Sequence, residues 1–347
     1  MEKMKAWVTT AKDILELQER PIPELKGNEA LVRIRAMGIC GSDQHYLHDW
    51  KIGDLVLTEP LVLGHECSGE VVKVGPEVTR VKVGDRVVVE PGIACGKCVY
   101  CKSGKYNLCP DMQFMGQPPT DGCLQEYVAW PHDLLFKMPD DMTYQQGALI
   151  EPFTVALQAL RLSQFSFSSS AVVVGAGTIG LMTIQALKAA GAGRIISVDV
   201  NPFKLEMARK MGATDTINSA EVQDLPGCVR AMTDGLGAMY GYECCGLEST
   251  YYEMASLVRD GATVTLMGLL PEDGNKMPMT NSVLREIKYH TVIRYTNVFA
   301  EALTLLHYGR ADITPVLSHQ FPFSQADKAF HEAMTNKKDA IKVMINF

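Results

Sequence analysis

The apolar run Ala171-Val172-Val173-Val174 passes directly into Gly175-Ala176-Gly177-Thr178-Ile179-Gly180, and a helix-forming stretch over 178–190 follows. A strand that breaks into glycines and restarts as a helix commits the backbone to a tight turn. The free N–H groups at the helix start then favour an anion. The glycines permit the turn, let a pyrophosphate approach the backbone and let helix and strand pack closely. Asp199 ends the next strand, 194–199, about 20 residues on, where an acid accepts from a ribose 2′-hydroxyl and repels a 2′-phosphate. Val200, Asn201 and Pro202 follow it without an arginine, so the sequence predicts NAD over NADP. The residues expected to hold it are Gly175, Gly177, Thr178, Ile179, Gly180 and Asp199. The glycine spacing alone also occurs in turns that bind nothing; strand, helix and acid together point to a dinucleotide.

The alternation continues on both sides of this turn. Helices are expected over 153–162 and 202–211, and strands over 240–244 and 262–267. Such a succession implies a parallel sheet with helices on both faces. Before residue 150 the pattern differs. Segments 29–35 and 69–75 alternate with period two, and Val83-Gly84-Asp85-Arg86-Val87-Val88-Val89 is a turn feeding another strand. Short strands at this spacing suggest a small barrel or sandwich. From about Val292 the chain leaves the parallel sheet through Arg294-Tyr295-Thr296-Asn297, a helix over 298–307 and a last strand over 341–345. The expected class is α/β, with a first domain over 1–152, a dinucleotide domain over 153–291 and a return to the first domain over 292–347.

A chain of 347 residues can bury two cores. Its net charge of −7 argues against a nucleic-acid surface, and its 47% apolar and 21% charged residues fit a soluble globular protein. No secretory leader and no run long enough to span a membrane is evident, so no membrane partner and a cytoplasmic location are expected. Four of the ten cysteines, Cys95, Cys98, Cys101 and Cys109, are spaced C-x2-C-x2-C-x7-C. Four thiolates on one short loop fit a closed, structural zinc site, with an iron–sulfur cluster as the rival. A second constellation is scattered: Cys40, His65 and Glu66, with Glu151 far downstream. These are ligand types of a zinc whose coordination stays open for chemistry, but a buried Cys and a hydrogen-bonded His would read the same way.

Gly38-Ile39-Cys40-Gly41-Ser42-Asp43, Gly64-His65-Glu66, Gly84-Asp85-Arg86-Val87, the four-cysteine loop and the glycine turn, in this order, resemble the zinc-dependent medium-chain dehydrogenases over essentially the whole chain. The nearer resemblance is to the sorbitol and xylitol (polyol) dehydrogenases. It is carried by Cys40 to Asp43 with His45-Tyr46, Glu90-Pro91-Gly92, Pro118-Pro119 with Asp121-Gly122, Glu151-Pro152, and Arg294-Tyr295 with Asn297. The resemblance implies a GroES-like β-barrel catalytic domain interrupted by a Rossmann domain, in a homotetramer or homodimer. It implies two zinc ions per chain. The catalytic one would be held by Cys40, His65 and Glu66, with Glu151 beside it; the structural one would be held by the four cysteines. Ser42 and His45 would pass protons, and Tyr46, Phe114, Arg294 and Tyr295 would meet the substrate. Gln117 and Ile293 depart from residues common in that group, which bears on the preferred polyol. The implied reaction is oxidation of a polyol's secondary hydroxyl to a ketose with hydride transfer to NAD. The alternatives are the same chemistry on butanediol, threonine, a sugar acid or a polyol phosphate, or a non-catalytic NAD-binding protein on the same fold.

Overall fold

The computed structural model describes residues 2–270 and 276–347. The chain divides into two compact units. The first comprises Met1–Glu151, Phe299–Leu303 and Leu317–Phe347, and the second comprises Pro152–Val298 and Thr304–Val316.

The first unit is built on the strand Glu29–Gly38, whose residues are almost all buried. One edge pairs antiparallel with Glu66–Val74. The other pairs with Tyr127–Pro131 along its first half and with Lys342–Asn346 at its end. With Arg86–Val89, Leu135–Lys137 and Leu317–Pro322 these strands make a seven-stranded sheet, and Ile14–Pro21, Lys3–Ala11 and Leu61–Val62 make a three-stranded one. Strands that are paired on both edges and buried leave no room for charge unless it is matched, and Lys342 in the last strand is such a case. The register sets Gly38 opposite Glu66. A Cβ on Gly38 would lie 2.2 Å from Glu66 Oε2, so this position has to lack a side chain for the carboxylate to lie where it does.

The second unit holds a six-stranded parallel sheet. Its order is Asp215–Asn218, Arg194–Asp199, Ser170–Val174, Ala238–Glu243, Val258–Leu266, Lys288–Thr291. Numbered within the unit this is 3-2-1-4-5-6, the doubly wound order in which ligands bind at the carboxyl ends of the first and fourth strands. Local chemistry sets the helix limits. The Pro202–Met211 helix starts on Asn201, whose side chain accepts from Phe203 N, with proline at the first helical position; it ends on Gly212 in the left-handed conformation. The last strand lies at the sheet edge, and Met279, Val283 and Leu284 in the helix before it are 52%, 70% and 81% exposed. Among the described residues no helix is long and apolar enough to cross a membrane.

Candidate active site

In the first unit, Cys40 is the N-cap of a short helix, Gly41–His48, and His65 and Glu66 stand at the start of the strand Glu66–Val74. One ligand atom from each of Cys40, His65 and Glu66 lies within 4.8 Å of the others. His65 and Glu66 are buried, and Cys40 is half-buried. Asp43, fully buried, organises this corner: its carboxylate accepts from Cys40 N at 2.9 Å and Gly64 N at 3.0 Å. His65 Nδ1 stands 3.4 Å from Asp43 Oδ1, an ion-pair distance whose alignment does not make a hydrogen bond, so a buried ring nitrogen goes without one. Burial opposes a charge on His65, but Asp43 and Cys40 outweigh it and hold the imidazole well above its ordinary range. A thiol, an imidazole short of a partner and a carboxylate, with buried Asp43 behind them, form a donor set that suits a divalent cation such as zinc.

Lys342 is the residue that the sequence reading missed. Its Nζ is 2.8 and 2.7 Å from the two oxygens of Glu66 and 2.9 Å from the Ile39 carbonyl, and both side chains are buried. Burial pulls against the ammonium, yet Glu66, Cys40 and Glu151 together raise it above 10.5. Lys342 therefore stays a cation and balances Glu66. A carboxylate has about four lone-pair directions, so Glu66 can accept from Lys342 and still face a metal. The signal in the sequence was a lysine inside an otherwise apolar strand, Ile341-Lys342-Val343-Met344-Ile345.

Glu151 is buried in the first turn of the Ile150–Ser163 helix and lies outside the three-residue cluster, near enough to Lys342 and Glu90 to act on both electrostatically. Burial pushes Glu90 up to about 7, helped by Asp133 and Glu151, even though Tyr106 Oη donates to it at 2.7 Å. Ser42, half-buried, and His45, exposed, fall one turn apart on the Gly41–His48 helix and so share a face. His45 Nδ1 pairs with Asp49 Oδ2 at 2.8 Å. Tyr46 on the same helix is buried. Phe114 packs its ring against His65, centroids 5.4 Å apart and tilted 58°.

The four cysteines form a cluster of their own in the same unit. Cys98 Sγ is 3.4 Å from Cys101 Sγ, and Cys95 Sγ is 3.9 Å from it. A disulfide needs about 2.05 Å, whereas thiolates at ~2.3 Å from one tetrahedral zinc sit about 3.8 Å apart. Backbone N–H groups of Cys95, Cys98 and Cys101 donate to the sulfurs of Cys109, Cys95 and Cys98, each at 3.4 Å. The amides of Lys97 and Cys98 pull the Cys95 thiol down to about 7. The cluster fits a closed tetrahedral metal.

In the second unit, Gly175 turns with φ 95° and Gly177 caps the Thr178–Ala189 helix. A Cβ on Gly180 would meet the Gly175 carbonyl oxygen at 1.8 Å, so the helix packs against the strand end only because that residue has none. A Cβ on Gly177 would point into open space, where a phosphate can approach. Thr178 and Ile179 open the helix. Asp199 Oδ2 accepts from Ala176 N at 2.7 Å and Oδ1 from Asn201 N at 2.9 Å, which aims the carboxylate at the turn. These features suit a dinucleotide. Arg294, half-buried with φ 53°, and Tyr295, buried, also belong to this unit.

Residues 26–140 match the alcohol dehydrogenase GroES-like domain family and residues 178–307 match the zinc-binding dehydrogenase family. Sorbitol dehydrogenase of Bacillus subtilis is 37% identical over 346 residues, covering 99% of this chain and 97% of its own. L-idonate 5-dehydrogenase of Vitis vinifera is 38% identical over 350 residues, covering 99% and 95%. The crystal structure of an Escherichia coli oxidoreductase of unknown specificity superposes with a TM-score of 0.95 at 35% identity, over 99% of both chains.

Proposed function

We propose that this chain, which belongs to the zinc-dependent medium-chain dehydrogenases and stands close to the polyol dehydrogenases, oxidises a secondary hydroxyl of a polyol to a ketose with hydride transfer to NAD. The observation that carries the reading is the cluster of Cys40, His65 and Glu66, one thiol with an imidazole and a carboxylate instead of a second thiol, with buried Glu151 near enough to act on Lys342 behind it. Bound at these residues, zinc would supply Lewis acidity toward the hydroxyl, and NAD held at the glycine turn would supply the hydride acceptor. Ser42 takes the hydroxyl proton at Oγ and donates its own onward. His45, a turn along the helix and open to water, releases it. Glu151 holds water or the substrate hydroxyl in line. Tyr46 and Phe114 shape the apolar side of the pocket, and Arg294 and Tyr295 supply donors to the remaining hydroxyls. Four cysteines hold a second zinc, for two per chain.

Asp199 favours NAD over NADP by accepting from the 2′-hydroxyl and repelling a 2′-phosphate. Asp199→Ala is expected to narrow the NAD-over-NADP ratio of kcat/KM by about tenfold or more; an unaltered ratio would remove Asp199 from this role. Glu151→Gln is expected to cut kcat about 100-fold while the dissociation constant for NAD, read by fluorescence titration, stays unchanged. The exposed edge strand Lys288–Thr291 and the exposed Met279, Val283 and Leu284 support a homo-oligomer, a dimer or tetramer, and ten free cysteines suit a reducing compartment such as the cytoplasm.

The deciding experiment is an NAD-coupled rate panel across xylitol, sorbitol, ribitol, arabitols, threitols, butanediol, threonine and L-idonate, with and without a chelator. A four- to six-carbon polyol should give the highest kcat/KM, and chelation should abolish the rate. Butanediol or threonine in first place would overturn the polyol reading. L-idonate in first place would establish the second reading, a sugar-acid substrate, which the 38% identity to the Vitis vinifera protein favours.

A further inference from the structure

The second unit carries another concave surface, at the end of its sheet remote from the glycine turn. The strands Ser170–Val174, Arg194–Asp199, Ala238–Glu243 and Val258–Leu266 run parallel, so their amino ends share one edge. A cleft of about 550 Å³ opens there, lined by Ser168, Ser169, Ser170, Arg194, Asp234 and Arg259 among others. Four strand residues, Ala171 to Val174, separate its Ser170 from Gly175, roughly 15 Å along the sheet, so it is distinct from the dinucleotide turn.

Two guanidinium groups face this cleft under different constraints. Arg194 is tied down: it donates to the Met232 carbonyl, and its Nε is 3.3 Å from Asp215 Oδ2. Arg259 is half-buried at the second position of its strand, and among the described residues its guanidinium has no hydrogen bond, ion pair or ring contact. A half-buried guanidinium without a protein acceptor is available to a ligand, and its planar fork matches an oxyanion. The hydroxyls of Ser168 and Ser169 are likewise unpaired among the described residues, whereas Ser170 Oγ accepts from Met239 N at 3.1 Å. The Arg259 guanidinium and the Ser168 and Ser169 hydroxyls therefore meet here without an acceptor among the described residues, beside an Arg194 already held by Met232 and Asp215. Asp234, exposed at the same cleft, is the one acidic side chain lining it. It disfavours a bare, multiply charged anion but accepts readily from hydroxyl groups. The volume exceeds what a phosphate ion fills and lies in the range of small-molecule sites.

We propose that this cleft binds the phosphate monoester of a small polyhydroxylated metabolite. The phosphate lies on Arg259, Arg194 and the Ser168–Ser169 hydroxyls, and the sugar-like body turns hydroxyls toward Asp234. The site is separate from the residues that handle the oxidised substrate and the cofactor.

The test is calorimetric titration of the full-length, zinc-loaded, NADH-saturated protein, so that the cofactor's own phosphate site is filled. The probes are glucose 6-phosphate, inorganic phosphate and glucose. Glucose 6-phosphate should bind, inorganic phosphate more weakly, and glucose not at all. Arg259→Ala should weaken glucose 6-phosphate about tenfold or more. Arg259→Lys should recover part of that loss. The denaturation midpoint and kcat of Arg259→Ala should stay close to those of the parent protein, since the Arg259 guanidinium makes no hydrogen bond or ion pair among the described residues and has no part in the proposed catalytic or cofactor sites. Three results would overturn the proposal: no heat with either phosphate compound, an affinity untouched by Arg259→Ala, or inorganic phosphate binding as tightly as the ester.

Discussion

Replacing Lys342 with methionine should cost the chain about 3–5 kcal/mol of stability, because it leaves a buried carboxylate without its counter-ion. Both members of the pair are almost fully buried, at 4% and 1% side-chain exposure, so solvent does little to screen the loss. Without Lys342 the Glu66 carboxylate would no longer be held in one orientation. Catalytic metal should then fall well below one per chain, with turnover following it, while the four-cysteine metal remains. Denaturant titration reads the first effect and elemental analysis the second. A variant that unfolds at the parental denaturant concentration and retains both metals would show that Lys342 is only a neighbour. Lys342→Arg, which keeps the charge, should recover part of the metal content if the ion pair is what matters.

Cys98→Ser should remove the other metal and leave the catalytic one. The loop it belongs to has almost no apolar interior: Val99, Tyr100 and Leu108 are 73%, 43% and 43% exposed. Order there must come from the sulfur cluster, the amide-to-sulfur bonds and the Tyr106–Glu90 hydrogen bond. Structural zinc bound by cysteine-type sites contributes about 10–16 kcal/mol in isolated fingers, so a lobe this poor in core should fray without it. The expected results are one metal per chain by elemental analysis and new protease cuts between residues 95 and 109. Because Tyr106 leads to Glu90, and Glu90 shares its electrostatic environment with Glu151, turnover should fall as well, though less than in the Lys342 variant. Two metals retained, with the lobe protected from protease, would mean that the cluster is not a metal site.

What the sequence made legible was local or motif-bound. The glycine turn, the helix Pro202–Met211 with its Asn201 cap and Gly212 end, and the cysteine cluster are each set within a few dozen residues. The parallel alternation was readable because buried strands and helices differ in period and length. The helix Gly41–His48 was not readable. Gly-Ser-Asp-Gln-His-Tyr-Leu-His has no apolar stripe to announce a helix. What makes it a helix is Asp43, whose carboxylate reaches back to Cys40 N and across to Gly64 N. Lys342 was hidden for a different reason. Its partner is 276 residues away, and nothing in a single chain's pattern announces a pairing at that separation. Gly38 belongs with it, since its lack of a side chain has meaning only once Glu66 is known to lie across the strand pair.

The distant origin of Lys342 also sets an order of assembly on the ribosome. The four cysteines emerge within fifteen residues of one another and can capture their ion while most of the polypeptide is still to be made. Cys40, His65 and Glu66 emerge earlier still, but the ammonium that balances Glu66 follows 276 residues later, on the order of tens of seconds at ordinary rates of synthesis. Until then Glu66 lacks the counter-ion it has in the folded chain. The strand Lys342–Asn346 pairs in the sheet beside Gly38, so the Cys40, His65 and Glu66 cluster can reach its folded, charge-balanced arrangement only after residue 342 has been made, whereas the cysteine lobe has no such requirement.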